Sequence, residues 1–479
     1  MTTTDLLSVF PLLILILWAC LVLLLDVFLK RERLTTILTA IGLVVTLGFS
    51  ISQNNLNLTG FNNMVVVDNF AVYLNIIFLG SGLLAISLAH DYLKRMGINR
   101  GEFYVLLMFS ISGMMLMAIA ADLIVFFLAL ELLSIPLYVL AAFARPRVES
   151  EEAGMKYFLL GAFSGGFVVY GIALVFGATA TTNLSGIAAR IAEHQADIPL
   201  LTIGAALILV GFSFKVAVVP FQMWTPDVYH GAPSAVTAFM AIGAKAAGFA
   251  ALMRIFVAAL PTLSEQITPI IWVLAALTMI VGNIVAVAQS NIKRMLAYSS
   301  IAHAGYILMA LVSYGQSSVA SVSVSAALFY LLSYAVTNFG AWAVVIAVEK
   351  AEGKGLALDD YAGIGRKYPA LAAAMAIFML SFTGVPPTLG FVGKFYLFRA
   401  VIDGGYIGLA VIGVLTSLIS AFYYLRVVVI MYMRDGEPEV RSEPWLNLTT
   451  AFTAIATIVL SIFSAPILQW ASQAILSTF

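Results

Sequence analysis

The chain has 479 residues, 62% of them hydrophobic and only 10% charged, and its 24 Lys and Arg balance its 24 Asp and Glu. A globular domain carries about a quarter charged residues, so a chain with a mean hydropathy of +1.03 cannot hide its apolar surface in one water-soluble core, and lipid must be its solvent. The balanced charge offers no basic surface to nucleic acid and no acidic tail to a cationic partner. A single thiol, Cys20, excludes a disulfide framework, a structural zinc site and an iron–sulfur cluster; it reads as a small lipid-facing or packing residue.

The chain opens Met1-Thr-Thr-Thr-Asp5 without a basic region, and its apolar run from Phe10 to Phe28 is long enough to span, so it reads as a retained helix rather than a signal peptide. Apolar runs long enough to cross about 30 Å of hydrocarbon then recur. They predict fourteen spans: 8–29, 34–52, 70–90, 103–120, 122–143, 153–177, 199–229, 233–260, 267–289, 295–314, 321–348, 369–399, 404–433 and 446–474. None shows the short alternation of barrel strands, so the predicted fold is an all-α polytopic membrane protein.

The connections after spans 1, 3, 5, 9, 11 and 13 hold sixteen Lys and Arg, Lys30 and Arg31 among them, whereas the opposite side has Arg190, with Arg254 and Arg399 near helix ends. This bias places the cation-rich side inward and both termini outward. Five basic residues remain: Lys156, Lys215, Lys245, Lys394 and Arg426, the last near the inner end of span 13 and placed to snorkel.

The four lysines and Glu131 fall within apolar runs. Each central charge costs about 2.5–3.5 kcal/mol even on a lenient insertion scale, so such groups are functional candidates that face a bundle interior or a hydrated cavity. Glu131, Lys215 and Lys245 lie deep in their spans, while Lys156, about a turn inside span 6, can reach the interface. A Glu–Lys pair can also serve only to orient helices. Lysine suits proton transfer because it can lose and regain its proton, which arginine cannot. Glu131 beside Lys215 would form a switch. His303, within Tyr298-Ser-Ser-Ile-Ala-His-Ala-Gly-Tyr306, has polar neighbours and the chemistry of a relay.

Two spans are interrupted by proline. Span 7 contains Phe214-Lys-Val-Ala-Val-Val-Pro220 and span 12 contains Gly384-Val-Pro386-Pro387. Proline removes a backbone donor and clashes with the preceding turn, so both should break, and the freed carbonyls need partners in a protein or hydrated interior. Span 12 comes five spans after span 7, so the two run in opposite directions. That spacing suggests two inverted five-helix repeats, spans 4–8 and 9–13. The expected organisation is a three-helix segment (1–102), two halves (103–260 and 261–434) and a last helix (435–479).

In these motifs the chain resembles the antiporter-like membrane subunits of proton-translocating NADH:quinone oxidoreductase, respiratory complex I. The resemblance rests on Phe126-Phe-Leu-Ala-Leu-Glu131-Leu-Leu-Ser-Ile-Pro136, Glu152-Ala-Gly-Met-Lys156-Tyr, the span-7 motif continued to Thr225-Pro-Asp-Val-Tyr-His-Gly-Ala-Pro233, the His303 motif and Gly384-Val-Pro-Pro-Thr-Leu-Gly-Phe-Val-Gly-Lys394. It covers nearly the whole chain and looks specifically like subunit N, the counterpart of mitochondrial subunit two. The resemblance implies fourteen helices with broken helices 7 and 12. It also maps the family's helix-6 lysine to Lys156 and implies a lateral axis for protons: Glu131 and Lys215 on one side, Lys245, His303 and Lys394 on the other. Lys394 fits the N and L types better than the M type, and the end at Phe479 lacks the long lateral helix of the L type.

The implied setting is a bacterial plasma membrane, with M-type, K-type and J-type membrane subunits and lipids as partners. No cofactor is expected in this chain, flavin, iron–sulfur clusters and quinone belonging to partner subunits. Two other functions fit some of the same features. One is a cation/proton antiporter subunit of the Mrp type; the other is a purely structural membrane subunit, in which the deep charges would tolerate neutral substitution.

Overall fold

The structure is a computed structural model that describes residues 2–29, 32–350, 353–474 and 476. Lys30 and Arg31, counted above with the inward connections, and the terminal Phe479 lie outside the described residues. In chain order the elements are α1 (Thr3–Leu29), α2 (Glu32–Ser52), β1 (Leu58–Gly60), β2 (Val65–Val67), α3 (Asn69–Arg95), α4 (Glu102–Ile119), α5 (Leu123–Ala141), α6 (Val148–Thr179) and α7 (Leu184–Ala192). They continue with α8 (Ile198–Val216), α9 (Trp224–Gly231), α10 (Ser234–Leu252), α11 (Ser264–Val287), α12 (Ile292–Ala310), α13 (Ser317–Val348) and α14 (Ile364–Lys367). The last are α15 (Pro369–Thr383), α16 (Leu389–Asp403), α17 (Ile407–Met433), α18 (Pro444–Ile462) and α19 (Ser464–Gln473).

Among the described residues, thirteen helices are long and apolar enough to cross a membrane. The predicted span 12 is absent from that set because it is two helices of 15 residues each, α15 and α16. Each half reaches only about 22 Å at 1.5 Å per residue, so a crossing needs both. With that pair counted as one, each of the fourteen predicted spans is helical in the structure, and the chain is a multi-pass membrane protein. Span 7 is likewise α8 followed by α9, and span 14 is α18 followed by α19. Two elements were not expected: the antiparallel β1–β2 hairpin, registered Leu58 to Val67 and Gly60 to Val65, and the short α7, capped by Asn183 through Ser185 and Gly186.

The interior is built around α10, in which every residue is buried, with α12 and the second half of α13 against it. The outward surfaces of the peripheral helices are apolar; Leu17, Phe163 and Leu418 are each about 70% exposed. Close helix approach relies on small residues. A Cβ on Gly171 would stand 2.7 Å from the Gly204 carbonyl oxygen, so α6 and α8 touch backbone to backbone there.

Arg254 departs from its reading as a cation near a helix end. It sits in the π-helical extension of α10, Met253–Ala259, with no exposed side-chain surface. Its guanidinium donates from Nη1 and Nη2 to the two carboxylate oxygens of Asp68, both at 2.8 Å, and from Nε and Nη2 to the Ala118 carbonyl. Asp68 in turn accepts from the Ala71 amide as the N-cap of α3. One ion pair thus joins α3, α4 and α10. Removing one partner strands a buried charge. Arg254→Leu or Asp68→Asn alone should destabilise the detergent-solubilised protein by about 3–5 kcal/mol, whereas the double replacement by apolar residues should melt closer to the native temperature than either single variant.

Candidate proton pathway

Each of the two predicted breaks presents a polar cradle. α8 ends in Ala217 with a left-handed φ of 63°, whose amide and that of Val218 return to the Phe214 and Ser213 carbonyls. The indole Nε1 of Trp224 donates to the Phe214 carbonyl at 3.0 Å, and Thr278 accepts the Val219 amide. α15 ends at Gly384, whose φ of +88° lies where side chains are disfavoured and where a Cβ would stand 3.0 Å from Lys394 Cδ. Here the freed carbonyl of Thr383 accepts from Lys394 Nζ at 3.0 Å and from Ser417 Oγ at 3.1 Å. The expected partners of the broken backbone are therefore protein groups: an indole in one half, an ammonium in the other.

Lys215, in the last turn of α8, is buried and donates to Ser134 Oγ at 2.8 Å and to the Tyr157 hydroxyl at 3.1 Å. The Tyr157 ring stacks on Trp224 at 4.5 Å, fixing the cradle to the segment beyond the break. Glu131 is half-buried on α5, one turn before Ser134. The predicted contact between Glu131 and Lys215 is not an ion pair within 4 Å among the described residues; the two charges act on each other at longer range. Ser134 and Tyr157 take the near positions instead.

Lys215 also packs toward α10, since a Cβ on Gly248 would stand 3.7 Å from Lys215 Cγ. Gly248 is about one turn beyond Lys245. Lys245 is buried, and its Nζ donates to the Ser300 carbonyl of α12. One turn along α12, His303 Nδ1 lies 2.5 Å from the Tyr330 hydroxyl and Nε2 lies 3.1 Å from that of Tyr424, which also contacts Ser299 Oγ. A further turn brings Tyr306, whose ring lies under Lys394 Nζ at 4.7 Å. Lys394 completes its shell with Ser417 Oγ at 2.7 Å. The structure thus brings Lys245, His303 and Lys394 together along one face of α12.

Lys156 is elsewhere. Its side chain is 40% exposed and bonded to Glu152 at 2.6 Å and Asp227 at 2.7 Å, while Asp227 also takes Arg294 at 2.9 Å. It ties α6 to α9 and, through Asp227, to α12 at the cation-rich end. Arg426, expected to snorkel, donates to the Val287 and Gln289 carbonyls and so caps α11.

The missed members of the site are hydroxyls and amides. Tyr423 donates to Asn283 Oδ1 at 2.9 Å, and Asn283 donates to the Tyr306 hydroxyl at 3.2 Å. Nothing in local sequence separates these tyrosines from ordinary membrane aromatics; only the packing of α11 and α17 on α12 assembles them. Among the described residues, no cluster of three or more His, Cys, Asp or Glu is placed to hold a metal.

A family profile described as NADH:quinone oxidoreductase/Mrp antiporter, transmembrane, matches residues 120–420. The chain is 48% identical to NADH-quinone oxidoreductase subunit N of Chloroflexus aggregans, over 97% of this chain and 96% of that one. The chain belongs to the subunit N family. Among solved structures it is similar to a chain of respiratory complex I from Thermus thermophilus, determined with bound aureothin, with TM-score 0.83, 34% identity, and 96% and 99% of the two chains covered. It also shares the fold of a chain of the Mrp complex from a Dietzia species, with TM-score 0.88, 20% identity, and 99% and 97% covered.

The geometry separates Lys156 from the buried lysines. Exposed ion pairs contribute about 0–1 kcal/mol, so Lys156→Ala should lower the melting temperature only slightly. Its proton transport should exceed that of Lys245→Ala, as read by proton uptake into membrane vesicles containing each variant.

Proposed function

We propose that this chain is the proton-translocating N-type membrane subunit of an NADH:quinone oxidoreductase, driven by redox chemistry in the other subunits. The observation that carries the reading is the buried series Lys215, Lys245, His303 and Lys394, in which three lysines lack a carboxylate within ion-pair distance among the described residues and each is solvated by hydroxyls or carbonyls. A permanent ion pair would hold its proton; a lysine cradled by neutral dipoles can release it when a neighbouring charge changes. At an effective dielectric of about 20, a unit charge about 8 Å away contributes about 2 kcal/mol, more than a tenfold change in proton affinity.

In this reading Glu131 is the input. A charge change at the boundary with a neighbouring subunit alters the field at Lys215, which stands between the Ser134–Tyr157 cradle and α10. The proton passes toward Lys245, and His303 and Lys394 carry it onward along α12. Lys156 holds α9, through Asp227, rather than the proton. The two halves, 103–260 and 261–434, are inverted repeats whose breaks provide the Lys215 and Lys394 cradles. The cation-rich end faces the bacterial cytoplasm, both termini lie outside, and the partners are the M-, K- and J-type subunits. Flavin, iron–sulfur clusters and quinone are held by partners.

The Mrp-type alternative shares the fold, but at 20% identity that likeness speaks for the fold alone, whereas identity to subunit N reaches 48% over nearly the full chain. The test is Lys245→Ala in the assembled oxidoreductase, with assembly checked on a native gel. Loss of one proton relay should lower the pumping rate on the order of tenfold or more. Full pumping by the assembled variant would sink the proposed route.

A further inference from the structure

Buried polar atoms almost always find partners, and those that do not mark sites for water or for chemistry. In this chain several such atoms lie on helices that meet at one end of the bundle. Ser234 opens α10, Lys293 sits in the first turn of α12, Glu349 caps the end of α13 and His230 closes α9, so four helix ends meet at the cation-rich end of the bundle. Among the described residues, Glu349 Oε2, Tyr361 Oη and Ser234 Oγ are buried without a hydrogen-bond partner, and the Tyr229 and Ser300 hydroxyls interact with each other. The Lys394 end is different. There the side-chain polar atoms of Lys394, His303, Tyr306, Asn283 and Tyr424 are all bonded, and Ser333 Oγ is the exception.

Glu349 and Lys293 each have 0% exposure. Lys293 Nζ donates to the Ala232 carbonyl at 2.7 Å, and its charge faces Glu349 without a contact inside 4 Å. The Tyr92 hydroxyl, 3.4 Å from Glu349 Oε1, accepts the Ser234 amide at 3.0 Å. From Ser234 to Lys245 is eleven residues of α10, about 16 Å. That interval is flanked by the buried hydroxyls of Tyr229 and Ser300, and the Ser300 carbonyl already holds Lys245.

We propose that Glu349 is the proton-collecting group of this chain, feeding Lys245 through the Ser234, Tyr229 and Ser300 hydroxyls and the water they hold, with Lys293 as the residue that positions its charge. The carboxylate takes a proton from the cation-rich side and becomes the neutral acid. It then passes that proton into the hydroxyl file as Lys245 goes from amine to ammonium, and returns to carboxylate. This rests on the proposed function, which it extends by naming where protons are taken up.

The test uses the assembled oxidoreductase in sealed vesicles and measures NADH oxidation, proton pumping and assembly together for Glu349→Gln, Glu349→Asp, Tyr229→Phe and Lys245→Ala. Glu349→Gln should cut pumping on the order of tenfold, with Glu349→Asp restoring most of it, a rescue that a packing role would not give to the shorter acid over the isosteric amide. Tyr229→Phe keeps the buried ring and removes only the hydroxyl; it should slow pumping several-fold, and it decides the matter should Glu349→Gln fail to assemble. Native pumping by Tyr229→Phe and by any assembled Glu349→Gln, with Lys245→Ala impaired, overturns this uptake route and leaves the proposed function standing. Native pumping by Lys245→Ala as well overturns both.

Discussion

The constraint on which the rest of the structure depends is the cost of a lysine ammonium in an apolar interior. Lys215, Lys245 and Lys394 are each almost fully buried, and the chain meets their solvation demand with hydroxyl oxygens, backbone carbonyls and aromatic faces rather than with carboxylates. Such dipoles stabilise a charge without neutralising it, so the proton affinity stays open to any change in nearby charge. Broken helices follow from the same need. A carbonyl in the middle of a helix already accepts one bond, as Ser300 does where it also takes Lys245, whereas the end of α15 leaves the Thr383 carbonyl unused by the helix where Lys394 requires an acceptor.

The helices that hold these groups divide their labour by burial. α12 has Ser300, His303 and Tyr306 at successive turns, so a single face of one helix reaches from Lys245 to Lys394. Helix α10, buried on all sides, cannot use amphipathicity to choose its orientation; polar contacts choose it. Lys245 on Ser300, Ser234 on Tyr92 and Arg254 on Asp68 fix its rotation at the middle and at both ends. Polar groups in the membrane interior thus select one packing out of many apolar ones.

Much of this was legible in the sequence because lipid makes composition strict. Every apolar run long enough to span is helical, and the prolines at 220, 386 and 387 mark real breaks in α8–α9 and α15–α16. The lysines at 215, 245 and 394 were legible for the same reason: nothing apolar explains them. What was not legible depends on distance in space. A helix position reads the same whether its side chain meets a carboxylate, as Lys156 does, or a hydroxyl, as Lys215 does. Reading Glu131 and Lys215 as a direct pair failed because Ser134, one turn along α5, and Tyr157 intervene. Arg254 looked like an end residue because hydropathy cannot tell a helix end covered by protein from one facing water.

The contrast between Arg254 and the lysines shows how charge type follows duty. Arginine keeps its proton at any accessible pH, and its planar fork matches a carboxylate; in this chain it occupies the site where a charge must never change, paired bidentately with Asp68 across three helices. Exchanging the types would fail both ways. A lysine at 254 could satisfy one carboxylate oxygen but not also the Ala118 carbonyl in the same plane, and an arginine at 245 would hold a permanent charge against Ser300. The fixed pair keeps α3, α4 and α10 in register, and under the proposed function it does so while lysines a few turns away change charge, because a bundle that shifted with every proton would lose the short contacts along which the proton has to move.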